Sequence, residues 1–97
     1  MKNIYVDIDN TICTTIGDDY EGSVPRPEYI QKINRLFDEG NIITYYTARG
    51  SKTKIDWYRL TEIQLIRWGC KFHKLSVGEK PAYDLLICDK TKRIEEI

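Results

Sequence analysis

Short apolar runs recur along this chain with helix-length segments between them, and that alternation most constrains its fold. Asn3–Ile8, Asn41–Thr47, Lys74–Val77 and Asp84–Cys88 are runs rich in Ile, Val, Leu, Tyr and Thr. They are short and β-branched or aromatic, which reads as strand. After the first run, Pro27 stands where a helix places its first residue. Ile30, Ile33, Leu36 and Phe37 follow at helical spacing, and Gly40 supplies a stop. After the second run the chain reads as helix in two pieces. Thr61-Glu62-Ile63-Gln64 has capping-box spacing for the second piece, and Gly69 closes it. Strands alternating with helices predict an α/β fold, a Rossmann-like parallel sheet with helices on both faces and right-handed crossovers. Ligands bind such sheets at the carboxyl ends of the strands. Those ends carry Asp7, Thr47 and the Cys88-Asp89 pair.

Size and charge narrow the classes. The 97 residues suffice for one domain, spanning 1–97. Fifteen basic and fifteen acidic side chains cancel, which removes the electrostatic case for a dedicated nucleic-acid or anionic-membrane binder. Three cysteines, odd in number and without CxxC spacing, argue against a disulfide framework or a structural zinc site. A reducing cytoplasm is the expected compartment. No apolar run reaches the ~20 residues of a membrane span. Asp7 comes too early for a secretory leader.

The sharpest local feature is Asp7-Ile8-Asp9-Asn10-Thr11 at the end of the first strand. Two carboxylates two residues apart point the same way on an extended chain. Their repulsion is relieved by a hard divalent cation, and Mg²⁺ takes a few carboxylates plus phosphate oxygens. The polar connection from Asp9 to Pro27 is longer than connections usually are, and such loops tend to be functional.

These motifs resemble those of the haloacid dehalogenase superfamily of aspartate-nucleophile phosphatases. Asp7-Ile8-Asp9-Asn10-Thr11 matches its DxDx[TV] motif, Thr47 its strand-ending hydroxyl, Lys80 its lysine and Cys88-Asp89 its final acids. Thr47-Ala48-Arg49-Gly50, Gln64-Leu65, Trp68-Gly69 and Lys80-Pro81 are similar to segments of small capsular-polysaccharide-biosynthesis-type phosphatases. The resemblance implies a minimal, uncapped core acting as a Mg²⁺-dependent phosphomonoester hydrolase. Asp7 would be the nucleophile and Asp9 the general acid and base. Thr47 would bond a phosphoryl oxygen, and Lys80 would neutralise charge. Asp7, the Asp9 carbonyl and Asp89 would hold the metal. Asn10, Thr11 and Arg49 are further candidates for substrate contact, Arg49 having a solvated surface position as its alternative. Asn10 stands where the family usually has Gly, and Asn tolerates left-handed backbone.

Cys88 departs from the family's usual acid, and a thiol is a poor Mg²⁺ ligand. It therefore supports a second reading, a catalytically weak or inactive binding protein that keeps the fold. A phosphorylation-dependent receiver domain fits less well, because the second strand ends in Thr47 rather than Asp. With no room for a cap, the loop from Ile12 to Pro25 is the only lid. The substrate is expected to be a small phosphorylated molecule, a sugar phosphate or a nucleotide, with a nucleic-acid end as the alternative. The aromatic content makes a homo-oligomer plausible. Trp57, Tyr58 and Trp68 read as core or interface residues.

Overall fold

The computed structural model describes residues 2–51 and 53–78 and the backbone of 85–87. The strands are β1 (Asn3–Asp7), β2 (Cys13–Thr14), β3 (Val24–Pro25), β4 (Ile42–Thr47), β5 (Lys74–Val77) and β6 (Leu85–Ile87). The helices are α1 (Pro27–Asp38) and α2 (Tyr58–Arg67). Four strands form a parallel sheet in the order β5-β4-β1-β6. Register pairs Ile4 with Ile43 and Leu85, and Tyr45 with Val6 and Leu75. The alternation of strand and helix read from the sequence thus gives the parallel sheet it predicts.

β1 and β4 are the two central strands of the sheet. Every residue of β4 from Ile43 to Thr47 is buried. Ile4 and Val6 of β1, Ile43 and Tyr45 of β4, Ile30 and Ile33 of α1 and Leu65 of α2 form one core. Burying one such side chain fully contributes about 1.5–3 kcal/mol. Tyr5 and Tyr46, on the alternate positions of the same strands, form a separate small cluster. Both described helices, α1 and α2, therefore share one face; the expectation of helices on the second face as well falls on residues outside the described ones. Successive crossovers from β1 to β4 to β5 step in one direction, and right-handed connections then put both helices on the same side.

Three details differ from the sequence reading. The polar connection is not all loop: β2 and β3 pair antiparallel within it, and Ile12 and Cys13 are fully buried in the core. α2 is one helix, its N-cap is Trp57, and Thr61 lies inside it rather than at its start. Finally, Trp57 lines a cavity, Tyr58 is exposed, and only Trp68 packs against the core. No described helix is long and apolar enough to cross a membrane.

Candidate functional site

β1 ends at Asp7 and the chain turns at once. The amides of Thr11 and Ile12 both donate to the Ile8 carbonyl, and Asn10 adopts a φ of 62°. Asn tolerates that left-handed backbone better than most residues. β4 ends beside this turn at Thr47. Asp7, Asp9 and Thr47 consequently line one cavity of about 480 Å³ at the carboxyl edge of the sheet. Its other walls are Asp18, Tyr20 and the segment after β4, with Arg49, Ile55 and Trp57 among its residues.

The two carboxylates of the motif have different surroundings. Asp7 is half-buried, and its Oδ1 accepts from the amide of Ile8 at 2.9 Å. Asp9 is gripped by side chains. Thr15 Oγ1 donates to its Oδ1 at 2.7 Å, and Thr47 Oγ1 donates to its Oδ2 at 2.9 Å. Arg49 forms a short ion pair with it, Nη2 to Oδ1 at 2.7 Å, while Nε lies 3.2 Å and 3.1 Å from Oδ1 and Oδ2.

Arg49 is the largest fully buried side chain among the described residues, which overturns its solvated surface alternative. A buried guanidinium is tolerable only if paired and hydrogen-bonded. Here the rest of the fork is satisfied: Nη1 donates to Gln64 Oε1 at 2.7 Å and Thr61 Oγ1 at 3.1 Å, and Nη2 reaches Ser23 Oγ at 3.4 Å. Gln64 Nε2 in turn donates to the Tyr20 carbonyl at 2.6 Å, and the Tyr20 ring lies 4.7 Å from the guanidinium carbon. One network thus joins the strand ends, the β2–β3 connection and α2.

This network sets the charge state of Asp9. Burial pushes its carboxyl up, but the hydrogen bonds from Arg49, Thr15 and Thr47 and the Arg49 charge pull harder, and the net lies below the ordinary 3.8. Asp9 is a carboxylate at neutral pH. Cys13 sits at the edge of the network, its thiol pushed up by burial.

The structure brings Asp7, Asp9 and Thr47 to one cavity, and adds Arg49 as the ion-pair partner of Asp9. The Thr47 hydroxyl proton points to Asp9, so binding a phosphoryl oxygen through that proton requires it to rotate. Asn10 and Thr11 do not line the cavity. Asn10 Oδ1 accepts from the Thr15 amide, and Thr11 is buried beneath the turn. Both shape the loop. Lys80, Cys88 and Asp89 lie outside the described residues. Sequence reasoning missed Thr15, Ser23, Thr61, Gln64 and Tyr20. The one available signal was Thr61 and Gln64 three apart beside buried Leu65, a polar pair on an inward helix face.

Among the described residues no cluster of three or more His, Cys, Asp or Glu side chains could hold a metal. The Asp9 carboxylate is committed to Arg49, Thr15 and Thr47, and the other carboxylates lining the cavity are those of Asp7 and Asp18. Such an all-oxygen set suits a hard cation.

No family model matches the chain, and no curated protein does. Among solved structures, the chain is similar to the crystal structure of an MCSG target from Vibrio cholerae. The two share 24% identity and a TM-score of 0.79, over 99% of this chain and 86% of that one. At this identity the likeness shows the fold alone, a small α/β unit with a parallel sheet.

Proposed function

We propose that the chain is a phosphomonoester hydrolase working through an aspartyl-phosphate, with a sugar phosphate or a nucleotide as substrate. The observation that carries this reading is the placement of Asp7 and Thr47 on adjacent parallel strand ends, facing one cavity beside Asp9. In the first half-reaction an Asp7 oxygen bonds to phosphorus as the bond to the leaving oxygen breaks. In the second, water attacks the aspartyl-phosphate, phosphate departs and Asp7 is regenerated.

The Arg49 grip keeps Asp9 ionised, hence in the form that can take the proton from that water, while lowering its basicity. As the acid for the first half-reaction it must first gain a proton, so leaving groups that depart as stable anions depend on it least. Arg49 acts on Asp9, fixing its orientation and charge; its own donors are taken.

A Mg²⁺ ion would be held by the Asp7 carboxylate and the Asp9 carbonyl, with Asp89 as the expected third ligand, and would neutralise charge on the phosphoryl group. Lys80 is proposed for the same task from the amino-group side. The alternative, an inactive binding protein, rests on Cys88.

The test is phosphate release from an aryl phosphate with and without Mg²⁺. Turnover should require the ion, stop in excess chelator and vanish in Asp7→Asn, whose amide keeps the shape but not the nucleophile. Wild-type turnover in a folded Asp7→Asn variant would sink the mechanism. No release from any phosphomonoester would favour the binding protein.

A further inference from the structure

The cavity that holds Asp7 and Thr47 is two-sided. At about 480 Å³ it falls within the range of small-molecule sites and far exceeds a phosphoryl group. Its polar end is Asp7, Asp9 and Thr47, whereas Tyr20, Ile55 and Trp57 form an apolar wall.

That wall is held in place from behind. The Tyr20 ring rests on the Arg49 guanidinium, and Gln64 ties down the Tyr20 carbonyl. Trp57 meets Tyr20 edge-on, with ring centroids 5.0 Å apart and planes at 76°. The segment after β4 turns tightly to bring Trp57 there, the Lys54 amide donating to the Gly50 carbonyl at 2.8 Å. Gly50 has a φ of 82°, and a Cβ on it would collide with the Ile55 carbonyl and press on the Trp57 ring. Lys54, with a φ of 63°, takes a second left-handed turn just before Ile55. Ile55 is left 54% exposed on this wall. Exposing an apolar side chain beside a half-buried tryptophan, on a backbone this constrained, serves recognition better than folding.

We infer that Trp57, with Tyr20 and Ile55, is the specificity wall for the leaving group and selects ring-shaped phosphomonoesters whose flat face packs on the indole. The inference rests on the hydrolase reading and names its substrate class. A ring presents a rigid apolar face with no torsions to freeze, whereas an open chain of the same composition loses rotamer freedom on binding.

Matched pairs of primary esters isolate ring from chain at similar leaving-group basicity: glucose 6-phosphate against sorbitol 6-phosphate, and cyclohexylmethyl phosphate against n-heptyl phosphate. The ring member of each pair should have a kcat/KM higher by about tenfold, equivalent to ~1.4 kcal/mol. Trp57→Ala should collapse that ratio toward one, and Trp57→Phe should restore most of it.

A second readout needs no turnover. In a Trp68→Phe background Trp57 is the sole tryptophan, since the chain has two. Its emission should respond to the ring ligands at concentrations about tenfold lower than to their open-chain partners. Equal kcat/KM within each pair, or a Trp57 emission indifferent to the ring ligands, overturns the inference while leaving a hydrolase in place. Ring-selective emission without phosphate release keeps the wall and discards the hydrolase.

Discussion

α1 and α2 pack against the same face of the sheet, and Asn34 of α1 ties down the segment that follows α2, its side chain bonding the Gly69 carbonyl and the Lys71 amide. Yet they bury different chemistry. α1 turns Ile30 and Ile33 inward, and both enter the hydrocarbon core. α2 buries Thr61 and Gln64 beside Leu65. The polar pair costs core area that α2 could have filled with hydrocarbon, and in return fixes Arg49. The difference teaches where function sits: one helix closes the core, the other supports the Asp9–Arg49 pair at the cavity.

The largest expected effect tests the hydrocarbon helix. Ile33 is fully buried, so Ile33→Ala removes its contacts and leaves a void. The loss should be about 2–5 kcal/mol in denaturant unfolding. The kcat/KM per folded molecule should stay as in wild type, because Ile33 belongs to the hydrocarbon core and does not line the cavity. A kinetic defect in folded Ile33→Ala would erase the distinction between the helices.

Gln64→Ala probes the other helix and should destabilise less, by about 1–3 kcal/mol, the scale of an unsatisfied buried polar group. Arg49 keeps Thr61 as a partner, but the Tyr20 carbonyl loses its donor. Here kinetics should suffer beyond stability, since both the ion pair and the Tyr20 wall loosen. Steady-state assays well below the melting temperature separate the two, and wild-type kcat/KM in this variant would break the comparison.

The same contrast explains what the sequence revealed. α1 was legible because its signals are local: Pro27 at the start, apolar spacing, Gly40 at the end. β1 and β4 were legible as apolar runs ending in Asp7 and Thr47, and their meeting follows from parallel pairing. Arg49 could not be placed, because an arginine after a strand is ordinarily solvated. Its burial depends on Asp9 and on Thr61 and Gln64 of α2 arriving from two distant segments. Thr61 misled for a related reason: its spacing to Gln64 reads as a cap, whereas both side chains serve a residue twelve or more positions upstream. The β2–β3 pair escaped notice because two-residue strands have no periodicity.

The smallest expected effect concerns the pH dependence of the pair α2 supports. Burial alone would raise the Asp9 carboxyl, but Arg49 and the two threonines lower it below the ordinary 3.8, so the folded state binds that proton more weakly than the unfolded chain. A group depressed on folding adds stability above its unfolded value, and that stability is lost as pH falls through the unfolded value toward the lower folded one. Acid should therefore weaken the protein through Asp9 only in that low window, and pH 6 to 8 should leave this contribution flat. Other carboxylates titrate nearby, so the informative quantity is the difference between wild type and Asp9→Asn. Asn carries no titrating proton. The gap between the two unfolding free energies should be widest at neutral pH and shrink as pH drops through the carboxylate range, by at most one proton's worth of slope. A gap that stays constant with pH would mean that Asp9 and Arg49 are joined by shape rather than charge, and α2's buried polar face would then need another explanation.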